Sequence, residues 1–164
     1  MVEMELTRIL IAEMRDQHII VLREKNGTRA FPIVIGIFEA MAIDRHVKEV
    51  PLTRPLTHNL LLSVIQAMGG KLERVVINDL SNDIFYGRLH IRRDGQIIDV
   101  DSRPSDAIAL AVHESCPIFV EEHVLTEASG TFDMGDIQLD LGGEQGDDEG
   151  ENEPDEPPDE DQQA

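Results

Sequence analysis

Asp99-Val-Asp-Ser-Arg-Pro-Ser-Asp-Ala-Ile-Ala-Leu110 leads from a strand into a helix. Its first residues continue an alternating strand expected over 96–101. Pro104 suits the first position of a helix, because its missing N–H is unsatisfied there anyway. The helix expected over 104–114 is built from Ala107, Ile108, Ala109, Leu110, Ala111 and Val112. It has almost no polar face, so it should be buried. Yet Asp106 lies in its first turn and Arg103 just before it. Charges at the mouth of a buried helix are costly unless they are paired, bind a ligand or do chemistry.

The same grammar runs outward from this segment. Residues 4–14 alternate and then become continuously apolar, as a strand does. Residues 18–23 and 31–36 read as two more strands, with Asn26-Gly27 as a hairpin signal between them. A helix is expected over 38–47, with Glu39, Ala42, Ile43 and His46 along one face. A second is expected over 55–68, with an apolar stripe of Leu56, Leu60, Leu61, Val64, Ile65 and Met68, stopping at Gly69-Gly70. Strands follow at 72–80, 84–92 and 96–101, with a hairpin at Asp94-Gly95, and a short strand at 117–120 closes the series.

Both halves read strand, strand, strand, helix. Glu39-Ala-Met-Ala-Ile43 and Asp106-Ala-Ile-Ala-Leu110 begin their helices alike. An internal duplication accounts for this, and so does chance likeness between short Ala-rich helices. Hairpin-linked strands with segregated helices imply an α+β domain around a mixed, largely antiparallel sheet.

The chain has 164 residues and a formal net charge of -19. That charge is concentrated at one end. From Asp133 onward there are 14 acidic residues and no Lys or Arg, leaving 19 acidic and 14 basic residues, a net charge of -5, in 1–132. Residues 1–132 are therefore expected to form the domain. Residues 133–164 form an acidic tail too polar to offset its ordering entropy, free to meet a basic partner. A lone cysteine, Cys116, rules out an internal disulfide and reads as an inert buried thiol. No apolar run approaches a membrane span, and Met-Val-Glu-Met-Glu-Leu-Thr-Arg is unlike a signal peptide, so a cytoplasmic location is expected.

Thr53-Arg-Pro-Leu-Thr-His-Asn59 mirrors the opening segment. Both place Arg-Pro at a helix start, with Thr53 and Ser102 as candidate caps. An arginine there opposes the helix dipole. It either pairs with Glu39, Asp99, Asp101 or Asp106, or joins the helix-end N–H groups to bind an anion such as phosphate. His58 is a candidate general base, metal ligand or structural histidine. His46 and His113 sit late in their helices, where a cation suits the dipole, and read as structural. His18, His90 and His123 have no supporting neighbours in the sequence. Glu39 with Asp99, Asp101 and Asp106 would suit Mg²⁺ or Mn²⁺, which prefer oxygen ligands. No zinc spacing, Walker loop, dinucleotide fingerprint or nucleophile elbow occurs.

Phe31-Pro-Ile-Val-Ile-Gly-Ile-Phe-Glu-Ala-Met-Ala-Ile43, Arg54-Pro-Leu-Thr-His58 and Asp101-Ser-Arg-Pro-Ser-Asp-Ala-Ile-Ala-Leu110, with Pro117-Ile118 after it, resemble the bifunctional nuclease family. The likeness spans residues 4–128 in order and spacing and excludes the acidic tail. It implies a small α+β domain, homo-oligomeric, associated with cleavage of RNA and DNA. The matching polar positions are Glu39, Arg54, Thr57, His58, Arg103, Ser105 and Asp106. Asn59 and Ser102 stand where the family usually has Asp and Ala. On this reading Glu39, His58 and Asp106 are catalytic, Glu39 and Asp106 hold a divalent Mg or Mn ion, and Arg54, Thr57, Arg103 and Ser105 bind substrate. The mild acidity of 1–132 and the scarcity of aromatic residues argue against a nucleic-acid groove. They favour the alternative of a non-enzymatic module that binds a protein partner or small anion through the two Arg-Pro helix starts.

Overall fold

Strand β1 (Val2–Ile11) pairs antiparallel with β2 (His18–Glu24), and β2 with β3 (Ala30–Ile35). Helices α1 (Ile37–Val47) and α2 (Thr57–Ala67) follow. A second meander, β4 (Lys71–Ser81), β5 (Ile84–Arg93) and β6 (Gln96–Ser102), leads into α3 (Pro104–Glu114), β7 (Ile118–Val120) and α4 (Glu122–Ser129). These elements come from a computed structural model that describes residues 1–11 and 18–130, all within the unit Met1–Met134. The expected end of the first strand at 12–14 and the acidic segment 133–164 lie outside the described residues. No helix among the described residues is long and apolar enough to cross a membrane.

The seven strands form one mixed sheet in the order β3-β2-β1-β7-β4-β5-β6. Strand β7 is antiparallel to β1 and parallel to β4, so the two meanders run outward from it with opposite polarity. Each meander ends in a helix, which gives the α+β arrangement and the strand-strand-strand-helix order expected from the sequence. The turns follow local chemistry. Asp94 and Gly95, with φ of 50° and 79°, make the tight hairpin between β5 and β6. Asn82 and Asp83, with φ of 51° and 62°, do the same between β4 and β5. Phe31 on β3 and Phe85 on β5 stack with centroids 5.4 Å apart. At about 4.8 Å per strand a flat sheet would hold them roughly 24 Å apart, so the sheet curls strongly.

Helix α3 is the buried centre of the helical layer. Ala107, Ile108, Ala109, Leu110 and Ala111 are all buried, and the helix contacts α1, α2, β4 and β5. Ile108 and Leu110 are fully buried on opposite sides of the helix, and the small alanines beside them allow close packing on the neighbouring elements. Helix α4 was not anticipated. Val124, Leu125 and Ala128 form its buried face against β3 and β4, and Arg29 Nη1 donates to Glu122 Oε1 at 2.6 Å. A short amphipathic run directly after a strand left little periodic signal.

Helix α2 corrects the sequence reading. Leu56, Leu60, Leu61, Val64 and Met68 are exposed, Ile65 is half-buried, and the buried residue is Leu62. The inward side carries His58, Asn59, Leu62 and Gln66. Three of these bond to α3: His58 to Asp106, Asn59 to His113 at 3.3 Å and Gln66 to Glu114 at 3.3 Å. Leu62 and Ile65 supply the apolar contact of this face, and the polar partners on α3 pair with the residues beside them. The two faces therefore predict opposite responses. Ile108→Ala should cost about 2–5 kcal/mol in urea unfolding through the lost contacts and the cavity left behind. Leu61→Ser should cost under about 0.5 kcal/mol in a monomeric sample. Equal losses would contradict this placement of α2.

Candidate functional site

Glu39 lies in the first turn of α1 and Asp106 in the first turn of α3. Both positions favour an anion through the helix dipole. The packing of α1 on α3 brings the two starts together, and Arg103, the N-cap residue of α3, lies between them. Its Nη2 donates to Glu39 Oε1 at 2.7 Å and its Nε to Asp106 Oδ2 at 2.7 Å. His58 Nε2 lies 3.2 Å from Asp106 Oδ1. The side chains of Glu39 and His58 are only 14% and 15% exposed, and Asp106 28%, whereas Arg103 is 66% exposed. Two largely covered carboxylates thus offset the unfavourable helix end and present a guanidinium to solvent.

Two glycines make room for this arrangement. A Cβ on Gly87 of β5 would stand 3.2 Å from both Pro104 Cα and Ser102 O. Backbone on that side cannot easily yield, so the β6–α3 junction passes close to β5 because residue 87 lacks a side chain. A Cβ on Gly36, the N-cap of α1, would collide with Glu39 Oε2. Burial pushes the Asp106 carboxyl up, but the hydrogen bonds from Arg103 and His58 outweigh it and hold the carboxyl below its ordinary value. The bond to Asp106, and then that to Glu39, raise the Arg103 guanidinium above its already high ordinary value, so it stays charged.

The expected residues do not all converge. Arg103 is paired, as one of the two sequence readings held. Arg54 lies before Leu56, the N-cap of α2, so the Arg-Pro helix start is not repeated there. Arg54 is exposed and makes no hydrogen bond or ion pair with a described residue. Thr57 is exposed in the first turn of α2, and Ser105 is buried in that of α3. Thr53 and Ser102 do not cap: the N-cap residues are Leu56 and Arg103, neither with a side-chain cap bond. Asp99 pairs with Arg88 at 3.3 Å and Asp101 lies opposite Arg88 in register, because β6 is paired along β5. The four-carboxylate set is therefore two carboxylates sharing one arginine.

Two residues read as structural join the site. His113 lies beside His46, with ring centroids 4.3 Å apart, and near-parallel to His58 at 6.5 Å. A sequence signal existed: His46 follows Glu39, and His113 follows Asp106, by two helical turns on the same face. Desolvation, helped by the nearby His46 and His58, pushes His113 down to about 4, so its ring is neutral. Elsewhere His90 Nδ1 accepts a bond from Arg74 Nε at 2.9 Å and His123 lies 3.7 Å from Asp79. Burial, with Glu114 adding to it, pushes the half-buried Cys116 thiol up to about 11, which leaves it protonated and inert.

The lowered His113 value makes stability depend on pH. As pH falls, the unfolded ring binds a proton near its ordinary value of about 6.5, while the folded ring resists until about 4. Between those values the unfolded chain holds more protons, so stability falls with pH. Unfolding by urea should show a loss on the order of 1 kcal/mol from pH 7 to pH 5, after allowance for solvent screening. His113→Asn should flatten that slope, and an unchanged slope would contradict a neutral His113.

Residues 20–133 match the model of the bifunctional nuclease domain. The chain is similar to an uncharacterised protein of Mycobacterium tuberculosis, 41% identical over 126 residues, covering 77% of this chain and 75% of the relative. It is also similar to bifunctional nuclease 2 of Oryza sativa subsp. japonica, 30% identical over 114 residues, covering 67% of this chain and 35% of the relative. Bifunctional nuclease 1 of the same plant is 26% identical over 121 residues, covering 70% of this chain and 37% of the relative. The chain spans about a third of the length of these plant proteins. By the extent of the domain match and the identity to the bacterial relative, this chain belongs to the bifunctional nuclease domain family.

Proposed function

We propose that the chain is a nuclease that hydrolyses phosphodiester bonds of RNA and DNA, with His58 as proton acceptor and Arg103 as the phosphate-binding group. The observation that carries this reading is a solvent-facing guanidinium and an imidazole both held by Asp106, in a chain of this family. With Nε2 directed at Asp106, His58 keeps Nδ1 free to take the proton of an attacking water. Arg103, fixed from behind by Glu39 and Asp106, offers its remaining N–H groups to the charge that grows on the phosphoryl oxygens. Arg54 and Thr57, exposed nearby in sequence, are candidate contacts for flanking phosphates. Glu39 acts through Arg103 as a positioning residue.

The carboxylates suit a metal poorly as they stand. Glu39 and Asp106 both accept from Arg103, and no group of three or more His, Cys, Asp or Glu among the described residues is arranged to hold an ion. A divalent ion would have to displace the guanidinium, and no step is derived through one. The acidic excess remains the observation that favours a binding module for a small anion instead. We further propose that a second copy covers the exposed leucines of α2. This helix carries no Asp, Glu, Lys or Arg, so it is where two acidic chains can meet without charge repulsion. Leu60→Glu should convert a dimer to a monomer in sedimentation; a monomeric parent chain would end that idea.

Hydrolysis of labelled single-stranded RNA and DNA, with Mg²⁺, Mn²⁺ or chelator, tests the main reading. His58→Ala and Asp106→Asn, at matched thermal stability, should each lose about 100-fold or more in rate. Equal residual cleavage in all three proteins would contradict it and leave anion binding in front. Dependence on a divalent ion would mean that the carboxylates release Arg103.

A further inference from the structure

Beside the Arg103 cluster lies a cavity of about 480 Å³ between the C-terminal half of α1, the segment 49–56, the start of α2 and the end of α3. Its volume is within the range of about 300–1,000 Å³ typical of small-ligand sites. His58 belongs both to its wall and to the Asp106 pair, so the cavity and the proposed reaction centre share that residue. The other walls combine three kinds of group. His46 and His113 supply aromatic rings, Val47, Leu52 and Val112 supply apolar surface, and Asn59 supplies a carboxamide. Arg45 and Glu49 add one charge of each sign at its edge. A smaller cavity of about 270 Å³ shares Arg45, Leu56 and His58 with the first and carries the exposed Phe38.

We propose that the larger cavity is a base-binding subsite, in which a purine or pyrimidine rests against His46 and His113 while its phosphate lies at Arg103 and His58. The inference rests on the nuclease reading above and adds the part of the nucleotide that the cavity takes. Imidazole faces are stacking platforms for bases, and here they replace the tryptophans and tyrosines that the chain largely lacks. A neutral His113 stacks without desolvating a charge, and its Nδ1 is already engaged by Asn59 Nδ2. The Asn59 Oδ1 remains as an acceptor for a base N–H. An aspartate at 59 would place a full negative charge against that ring, so asparagine keeps the cavity suited to an uncharged base.

Titration of the full chain with adenosine 5′-monophosphate, cytidine 5′-monophosphate and ribose 5-phosphate, followed by NMR of the histidine rings, tests the subsite. Both nucleotides should bind about tenfold or more tighter than ribose 5-phosphate, the difference expected from stacking one base. They should shift the ring protons of His46 and His113. Val47 is exposed at the rim, so Val47→Trp fills the entrance without disturbing the core, and it should abolish the advantage of the nucleotides over ribose 5-phosphate. Equal affinity for all three compounds, or unshifted histidines, would overturn the proposal. Cleavage of labelled oligonucleotide, measured alongside, separates the two claims. Base-dependent binding without cleavage upholds the subsite and ends the nuclease reading, whereas cleavage without base-dependent binding does the reverse.

Discussion

Helix α3 has no polar face to give away, and most of the site follows from that. Its middle is buried, so the charged and polar groups that belong to it are confined to its two ends. At the start stand Arg103 and Asp106; at the finish stand His113 and Glu114. An unpaired charge at either end of a buried helix would be costly. Glu39 answers Arg103 from α1, and α2 lies along α3 with His58, Asn59 and Gln66 answering Asp106, His113 and Glu114. Helices α1 and α2 are thus held by side-chain bonds to one apolar rod, and the bonds collect at its ends.

Much of this was legible in the sequence. The apolar run 107–112 announced burial, Pro104 marked the helix start, and Asp94-Gly95 fixed a hairpin, because each rests on a local rule. Helix α2 was legible as a helix but not in its rotation. Its leucines make the stronger stripe, and that stripe faces outward. The inward face combines Leu62 with polar residues whose partners are 48 to 54 residues away in the chain, which no local pattern encodes. The same distance hid the histidine cluster. His46 and His113 each fit a helix C-terminus individually, and their meeting depends on how α1 crosses α3. The likeness of the two Arg-Pro motifs misled for a related reason. Only Arg103 reaches a helix end, while the chain after Arg54 extends to Leu56 before turning.

Charge is where fold and function pull against each other. An acidic chain is a poor general binder of nucleic acid, because affinity for the backbone draws on many Lys and Arg contacts. The structure concentrates what it has. Arg103 is held by the carboxylates of Glu39 and Asp106, and His58 bonds to the same Asp106. On the proposed function, such a site would make one well-positioned contact at a phosphate in place of a long electrostatic stripe. The neutral cavity beside it would add affinity through a base instead of through further charge. The outer face of α2 is apolar and carries no Asp, Glu, Lys or Arg.

Asp106 orients the His58 ring, and the tautomer of that ring is the property to measure. Nitrogen-15 NMR of the full chain, at a pH where the imidazole is neutral, distinguishes the two ring nitrogens. With Asp106 accepting from His58, Nε2 should carry the proton and Nδ1 should be bare, with the preference lost in Asp106→Asn. A proton fixed on Nδ1 would leave His58 without the free acceptor that the proposed chemistry requires, and would contradict it.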